Sequence, residues 1–219
     1  MTNGTHDQPI IFVLAGVDGA GKSSIGGAFL RANQNEYFNP DLAARRIREM
    51  KGASIDEANA LAWQEGKLRL ELAIETRRSY AFESALGGNT IPGLLREAAS
   101  AGLKVNVWFV GLSSPEQHIA RVRARVASGG HDIPEEMIRQ RWDSSRRNVI
   151  ALMPFLADLW VFDNSYEGDS SAGTIPPPRE LLYWSDGAIV SPDADGLAAT
   201  PEWAKPIVTR ALQLQRGAK

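Results

Sequence analysis

The 219-residue chain carries 24 Lys and Arg residues against 26 Asp and Glu residues, a net charge of −2, and it contains no cysteine. This near balance of charge supplies no broad positive field for a nucleic-acid backbone, and the lack of cysteine excludes disulfides, thiol catalysis and cysteine-ligated zinc. With 43% hydrophobic residues and no apolar run long enough to span a membrane, we expect one soluble, cytoplasmic domain that does not bind membranes or nucleic acid.

The first predicted element is a strand over the apolar run Ile10–Ala15, followed by a glycine-rich turn. Residues 16–23 read G-V-D-G-A-G-K-S, the complete P-loop pattern, and a helix is expected from residue 21 to about residue 33. Backbone N–H groups of such a turn can wrap around nucleotide phosphates, while the lysine reaches the β- and γ-phosphates and the serine ligates Mg²⁺. We therefore expect ATP or GTP with Mg²⁺ to bind to Gly16, Asp18, Gly19, Ala20, Gly21, Lys22, Ser23 and Ser24, with Ser23 as the metal ligand. The alternative is a glycine-rich turn with an exposed lysine.

Two acidic residues follow at positions suited to an acceptor site. Asn39 and Pro40 predict the N-cap and the first residue of a helix, so Asp41 falls in its first turn. The carboxylate of Asp41 either accepts a proton from an attacking hydroxyl or only favours the helix dipole. Residues 54–57 form a capping box that opens a long helix reaching residue 78. Glu83 ends a short strand over residues 80–83, where parallel sheets bind ligands, so it either holds a substrate hydroxyl or ends the strand in solvent.

A pair of arginine-bearing helices is predicted next, after a helix near residues 92–100 and a strand over residues 105–112. The first runs from residue 115 to about 127, a glycine-containing segment over residues 129–132 breaks it, and the second runs from residue 134 to about 156. Arg121 and Arg125 lie one turn apart on the first helix, His131 is in the break, and Arg141 is on the second helix. This is the plan of a LID that closes over a transferring phosphoryl group, with a solvated arginine face as the alternative.

The remaining signals are a strand over residues 159–162, a loop-like stretch over residues 168–178, a hairpin around Asp186 and Gly187, and a final helix over residues 201–215. Alternating strands and helices through the first three quarters of the chain predict a parallel sheet covered on both faces. We expect a single domain over residues 1–219, with a core at about 9–166 and a C-terminal extension over residues 167–219.

Taken in order, the motifs of the chain resemble those of the zeta-toxin-like P-loop kinases. The resemblance covers roughly residues 9–166. The segments that carry it are the P-loop, Asn39-Pro40-Asp41, Phe82-Glu83-Ser84, the arginine and glycine pattern from Arg121 to Glu135, the distal Arg141, and Asp163-Asn164-Ser165.

This resemblance implies an α/β, adenylate-kinase-like, three-layer P-loop NTPase fold with five mainly parallel strands and an arginine-bearing LID. It also implies a kinase that phosphorylates a hydroxyl of a small molecule, with UDP-N-acetylglucosamine as the best-known acceptor, and it raises an antitoxin protein as a partner. The implied catalytic residues are Lys22, Asp41 as the base, and Arg125 and Arg141 at the phosphoryl charge. Asn164 would lie near the nucleotide base, and the acceptor side would comprise Asn39, Asp41, Glu83, Ser84 and His131.

The chain departs from the family at two places. Asp18 replaces a small or amide residue in the P-loop, and the segment after Glu83 lacks the arginine found nearby in the best-known toxins. Other functions stay open: a nucleotide kinase, since the P-loop spelling also looks like thymidylate kinase, a nucleic-acid 5′-kinase, or a non-kinase regulatory ATPase. The Asp-Arg pair that thymidylate kinase would show after a central strand is missing there, and no Leu-Ser-Gly-Gly-Gln signature is present. A regulatory ATPase would have an Asp after four apolar strand residues, whereas the apolar run over residues 107–110 is followed by Gly111 and Leu112.

Overall fold

The computed structural model describes residues 8–22, 25, 37–166 and 177–217. They form one sheet with helices packed against it. The strands are β1 (Ile10–Ala15), β2 (Tyr37–Phe38), β3 (Tyr80–Ser84), β4 (Lys104–Gly111), β5 (Asp158–Asp163), β6 (Arg179–Ser185) and β7 (Ala188–Ser191). The helices are α1 (Pro40–Lys51), α2 (Ile55–Glu75), α3 (Thr90–Ser100), α4 (Pro115–Ala127), α5 (Glu135–Leu152), α6 (Ala194–Ala198) and α7 (Lys205–Gly217).

The first five strands are parallel, in the order β2-β3-β1-β4-β5. The expected parallel sheet is therefore confirmed, but the five-strand total is too low. β6 pairs antiparallel with β5, and β7 pairs antiparallel with β6, so the described sheet has seven strands. The extension adds strands to the core sheet because β5 leaves one of its edges free to pair.

The helix boundaries follow local capping chemistry. The side chain of Asn39 accepts a hydrogen bond from the Leu42 N–H at 3.0 Å, and that of Ser54 accepts one from the Glu57 N–H at 3.2 Å. Both predicted helix starts are thus confirmed. The long helix ends at Glu75 rather than at residue 78, because Arg77 turns left-handed with φ 51°. In the P-loop helix, Lys22 and Ile25 are helical, and the rest of the predicted span lies outside the described residues.

The second LID helix also ends earlier than expected. It stops at Leu152, and residues 153–155 form a 3₁₀ turn that contains Pro154. Proline has no N–H to continue the α-helical hydrogen bonds, so the α-helix cannot extend to residue 156.

The central strand β1 is buried on both faces of the sheet. Ile11, Val13, Leu14 and Ala15 are completely buried, which explains why this strand reads as a continuous apolar run. Its carboxyl end leads directly into the P-loop, so the most deeply buried strand positions the glycine turn. No helix in the described ranges is long and apolar enough to span a membrane.

The C-terminal extension packs onto the core through its tryptophans. The predicted hairpin forms with a two-residue turn, in which Asp186 and Gly187 both have positive φ angles. Trp203 is buried, and its ring lies against Gly111 at the end of β4. The short helix α6 was not predicted, the final helix starts at residue 205 rather than 201, and most of the predicted loop, residues 168–176, lies outside the described residues.

The close packing of Trp203 against Gly111 should contribute to the stability of the fold. A Cβ atom at Gly111 would lie 2.3 Å from a carbon of the Trp203 ring, so we expect Gly111→Ala to lower the free energy of unfolding by about 1–3 kcal/mol. The measurement is chemical denaturation of the whole chain, followed by tryptophan fluorescence and circular dichroism.

Gly93→Ala is the matched control. Gly93 lies inside α3, and a Cβ there would contact nothing within 4 Å, so alanine should raise the free energy of unfolding by up to about 1 kcal/mol. Equal stability of Gly111→Ala and the wild type would mean that the extension does not pack against β4 as described.

Candidate active site

Three positions of the P-loop turn have backbone conformations that favour glycine. Gly16, Gly19 and Gly21 have φ angles of 146°, 81° and 85°. Added Cβ atoms would lie 2.3 Å from the carbonyl oxygen of Val110 at Gly16 and 2.4 Å from the Asn164 side-chain amide at Gly21. The turn therefore keeps its backbone close to the ends of β4 and β5, and it leaves a concave surface that suits phosphate groups.

Three side chains support this turn through hydrogen bonds, two of them directly and Arg121 through Asn164. The Asn164 amide donates to the carbonyl oxygen of Ala20 at 2.8 Å, and Arg121 donates to the carbonyl oxygen of Asn164 at 2.8 Å. His118 Nδ1 lies 2.8 Å from the carbonyl oxygen of Asp18, which can only accept, so Nδ1 carries the proton. Burial lowers the pKa of His118 to about 4, and the ring is therefore neutral at pH 7.

The P-loop lysine is buried and points toward the glycine turn. Lys22 Nζ donates to the carbonyl oxygen of Gly16 at 2.8 Å and lies 3.4 Å from Oε1 of Glu83. The alternative of an exposed lysine is therefore wrong. Ser23 and Ser24, which were predicted to contact the metal or nucleotide, lie outside the described residues.

Glu83 does not end its strand in solvent, because its side chain is 8% exposed. Its Oε2 atom accepts hydrogen bonds from the Tyr37 hydroxyl and, at 2.7 Å, from the Asn39 amide. Burial and the negative charge of Glu83 raise the pKa of Tyr37, so the phenol stays protonated and donates. Glu83 thus links the P-loop lysine to β2 and to the N-cap of α1.

Asp41 lies opposite the first LID helix. Its Oδ2 is 3.7 Å from Arg125 Nη1, and its Oδ1 is 3.7 Å from His131 Nε2. Arg125 also donates to the carbonyl oxygen of His131 at 3.1 Å. A Cβ at Gly130 would lie 2.5 Å from Arg125 Cγ, so the glycine break gives this arginine the room to reach Asp41.

The second LID helix contacts the P-loop through one ion pair. Arg141 Nη1 lies 2.6 Å from Oδ2 of Asp18, whose side chain is 13% exposed. Burial alone would raise the pKa of Asp18, but the positive charges of Lys22 and Arg141 outweigh it and hold the pKa below its ordinary value. Asp18 is therefore a buried anion that holds Arg141 beside the glycine turn.

Arg121 and Arg125, which lie one turn apart on the first LID helix, point to different partners. Arg121 points toward the strand end and binds Asn164, whereas Arg125 points toward Asp41 and His131. Their charges are separated because each has its own acceptor in the protein, so only Arg125 lies near the predicted acceptor base.

A cavity of about 490 Å³ connects these groups. Its walls come from the P-loop, the start of α1, one face of α2, the segment after β3 and the LID. The predicted residues that line it are Asp18, Lys22, Asp41, Glu83, Ser84, His131 and Arg141. The Ser84 hydroxyl accepts a hydrogen bond from the Leu86 N–H at 3.0 Å, and the Ser84 carbonyl accepts one from the Gly16 N–H at 3.1 Å, so Ser84 shapes the wall. A larger cavity of about 810 Å³ lies elsewhere, between α1, α2 and the start of β3.

Sequence reasoning missed two residues of this region. Tyr37 and His118 act through contacts with residues 46 and 100 positions away, for which the local sequence has no signal. For the tryptophans, the sequence favours positions in the core or in a groove, and Trp63 lies half-exposed on the cavity wall. Its spacing with Asp56 and Asn59 on one helical face could have indicated this position. Within the described ranges, no cluster of His, Asp and Glu could hold a metal ion on protein ligands alone.

Comparisons with known proteins agree with this geometry. Residues 2–164 match the family model described as Zeta toxin. An uncharacterized protein of Haemophilus influenzae (strain ATCC 51907 / DSM 11121 / KW20 / Rd) is 36% identical over 70 residues, which are 32% of this chain and only half of that relative's length.

Solved structures with low sequence identity share the fold. The AvrRxo1-ORF1:-ORF2 complex is 17% identical, with a TM-score of 0.63 over 94% of this chain and 71% of that one. A chain of the PezAT chromosomal toxin-antitoxin system of Streptococcus pneumoniae is 12% identical, with a TM-score of 0.56 over 98% of this chain and 88% of that one. A putative kinase from Chloroflexus aurantiacus is 16% identical, with a TM-score of 0.51 over 62% of this chain and 80% of that one.

The family match covers most of the chain and contains every predicted site residue from the P-loop to Asn164. The sheet order, the glycine turn and the arginine-bearing LID are those of a P-loop kinase fold. The chain therefore belongs to the zeta toxin family and has the architecture of a kinase-like, nucleotide-dependent phosphotransferase.

Proposed function

We propose that the protein is a small-molecule kinase, which transfers the γ-phosphate of ATP or GTP to a hydroxyl group of an acceptor bound in the 490 Å³ cavity. The observation that carries this proposal is that Lys22, Asp41 and Arg141 all line that one cavity. A regulatory ATPase needs no acceptor cavity beside its P-loop, and the volume suits a small molecule better than a nucleic-acid chain.

The donor side fits a nucleotide triphosphate. The glycine turn presents a concave backbone that side chains would fill, and Lys22 provides an ammonium group beside it. Mg²⁺ would be held by Ser23 together with the phosphates, and it would neutralise phosphate charge. A solved structure of the AvrRxo1-ORF1:-ORF2 complex contains ATP. This supports the proposal that the fold shared with the present chain binds a nucleotide.

On the acceptor side, we assign Asp41 as the general base. Its carboxylate lines the cavity, and the side chain is 49% exposed, so an acceptor hydroxyl can reach it. Taking the proton as the new P–O bond forms makes the oxygen a better nucleophile. Arg125 and His131 flank both carboxylate oxygens at 3.7 Å, which keeps Asp41 pointed at the cavity.

Arg125 and Arg141 have the role of stabilising charge on the transferring group. They approach the P-loop region from two different LID helices, and each lies next to a carboxylate, Asp41 or Asp18. When phosphates lie in the glycine turn, these arginines can move from carboxylate to phosphate with small side-chain rotations.

Asn39, Glu83, Ser84 and His131 complete the acceptor side of the proposal. Family resemblance makes UDP-N-acetylglucosamine the reference acceptor, with which other classes of acceptor are compared. The AvrRxo1 complex and the PezAT toxin-antitoxin system further suggest a partner protein of the antitoxin type for this chain.

The first test concerns the donor site. Lys22→Ala should reduce nucleotide turnover by at least about 10²-fold, because it removes the only charged donor of the P-loop, while the melting temperature stays near that of the wild type. Lys104→Ala is the control, since Lys104 is exposed at the opposite end of β4. Full phosphoryl transfer by Lys22→Ala would refute the assignment of the donor site.

The second test separates a kinase from an ATPase. Asp41→Asn should keep the fold and the nucleotide affinity but lower transfer to an acceptor hydroxyl by about 10²–10⁴-fold, the usual contribution of a general base. Asp195→Asn, an exposed acid on α6, should transfer at the wild-type rate. If the wild type hydrolyses ATP but labels no small molecule, and Asp41→Asn hydrolyses ATP equally well, the protein is a regulatory ATPase.

The third test compares two arginines two residues apart on α5. Arg141→Ala should lower kcat by about 10³-fold with little change in nucleotide affinity, because its charge is needed at the transferring group. Arg139 is paired with Glu116 on the outer surface, so Arg139→Ala should leave kcat unchanged. Equal kcat values for the two variants would show that Arg141 has only a structural role.

A further inference from the structure

The charge balance of the acceptor cavity limits the chemistry of its ligand. Its lining contains the five carboxylates Asp18, Asp41, Asp56, Glu83 and Asp132 and the three cations Lys22, Lys67 and Arg141. Arg125 lies outside the lining but pairs with Asp41, and in the proposed kinase it serves the transferring phosphoryl group. Even with Arg125 counted, five carboxylates stand against four cations before any ligand is considered.

All three cations have other partners. Lys22 lies in the P-loop, and Arg141 is held beside it by Asp18, so in the proposed kinase both serve the donor phosphates. Lys67 forms an ion pair with Glu71 at 2.5 Å, and Glu71 does not line the cavity. Among the described lining residues, no cation is left to pair with a negative group on the acceptor.

Donor binding makes the acceptor side more negative. Once Lys22 and Arg141 turn toward donor phosphates, Glu83 and Asp18 lose part of their charge compensation. Asp56 and Asp132 have no ion pair within the described part of the chain. A phosphate or carboxylate on the acceptor would therefore lie near several uncompensated carboxylates, which repel it.

The wall of the cavity that α2 forms carries a surface suited to a ring compound with hydroxyl or amine groups. Asp56, Asn59, Trp63 and Lys67 follow one another at three- and four-residue spacings, so they share one face of the helix. Trp63 is 49% exposed on this face, and Ile55 and Met137 lie with it in the lining. An indole face packs against the apolar C–H face of a sugar-like ring and attracts a positive amine, while the polar groups on either side bind hydroxyls.

We infer that the acceptor of the proposed kinase is a polyhydroxyl ring compound without phosphate or carboxylate groups, neutral or carrying an amine, and not a nucleotide sugar. The inference rests on the proposed kinase activity. It extends that activity by assigning acceptor selection to the acidic lining and to the α2 face.

The first part of the test identifies the charge class of the acceptor. A small-molecule extract is separated at pH 7 by ion exchange into anionic, neutral and cationic fractions, and each is incubated with the full chain and γ-labelled ATP or GTP. We expect acid-stable label in the neutral or cationic fraction, with Lys22→Ala as the background control. Label confined to the anionic fraction, or transfer to UDP-N-acetylglucosamine, overturns this inference but leaves the kinase proposal intact. Nucleotide hydrolysis without label in any fraction overturns the kinase proposal itself.

The second part reverses one wall charge. Asp56→Lys should strengthen binding of UDP-N-acetylglucosamine, used as an anionic probe and measured by calorimetry, by at least about tenfold over the wild type. Glu57→Lys is the matched control, because Glu57 is exposed in the same first turn of α2 but does not line the cavity. Wild-type binding of the probe as tight as that of Asp56→Lys overturns the inference, as does an equal gain in Glu57→Lys.

Discussion

The candidate site depends on the contacts made by the carboxylate of Glu83. It is buried at the end of β3, and it binds the ammonium of Lys22, the hydroxyl of Tyr37 and the amide of Asn39. These three groups belong to the P-loop, to the two-residue strand β2 and to the N-cap of α1. A buried charge is stable only when it is paired and hydrogen-bonded, so none of the three elements can shift without leaving Glu83 unsatisfied. The position of Asp41, two residues after Asn39, is fixed by the same constraint.

A second pattern in the site is that its arginines are held by carboxylates close to the glycine turn. Arg141 is paired with Asp18, and Arg125 lies near Asp41. Each pair places a cation beside the donor region at low cost, since the charge is already compensated within the protein. Asp18 departs from the family pattern, which has a small or amide residue at this P-loop position. In the structure, Asp18 anchors the second LID helix to the P-loop through its ion pair with Arg141.

The sequence allowed accurate prediction at several places where the determinants are local. The P-loop, the Asn39 and Ser54 caps and the Asp186-Gly187 turn each depend on a few consecutive residues, and the structure agrees with all of them. Contacts between distant residues could not be predicted in this way. The pair Asp18 and Arg141 is separated by 123 positions, and the joining of β6 to β5 depends on which strand edge remains free after the core has folded.

The pairing of β6 with β5 determines which edge of the sheet is left open to other chains. β5 is apolar at most of its positions, with Leu159 and Val161 fully buried, and six consecutive residues of it pair with β6. Without the C-terminal extension, this strand would expose a row of unpaired N–H and C=O groups beside an apolar surface, which is a template for association with other chains. β6 and β7 move the free edge outward to a strand of only four residues. The extension, which carries no motif of the family, thus covers an edge of the core sheet that would otherwise be open to pairing.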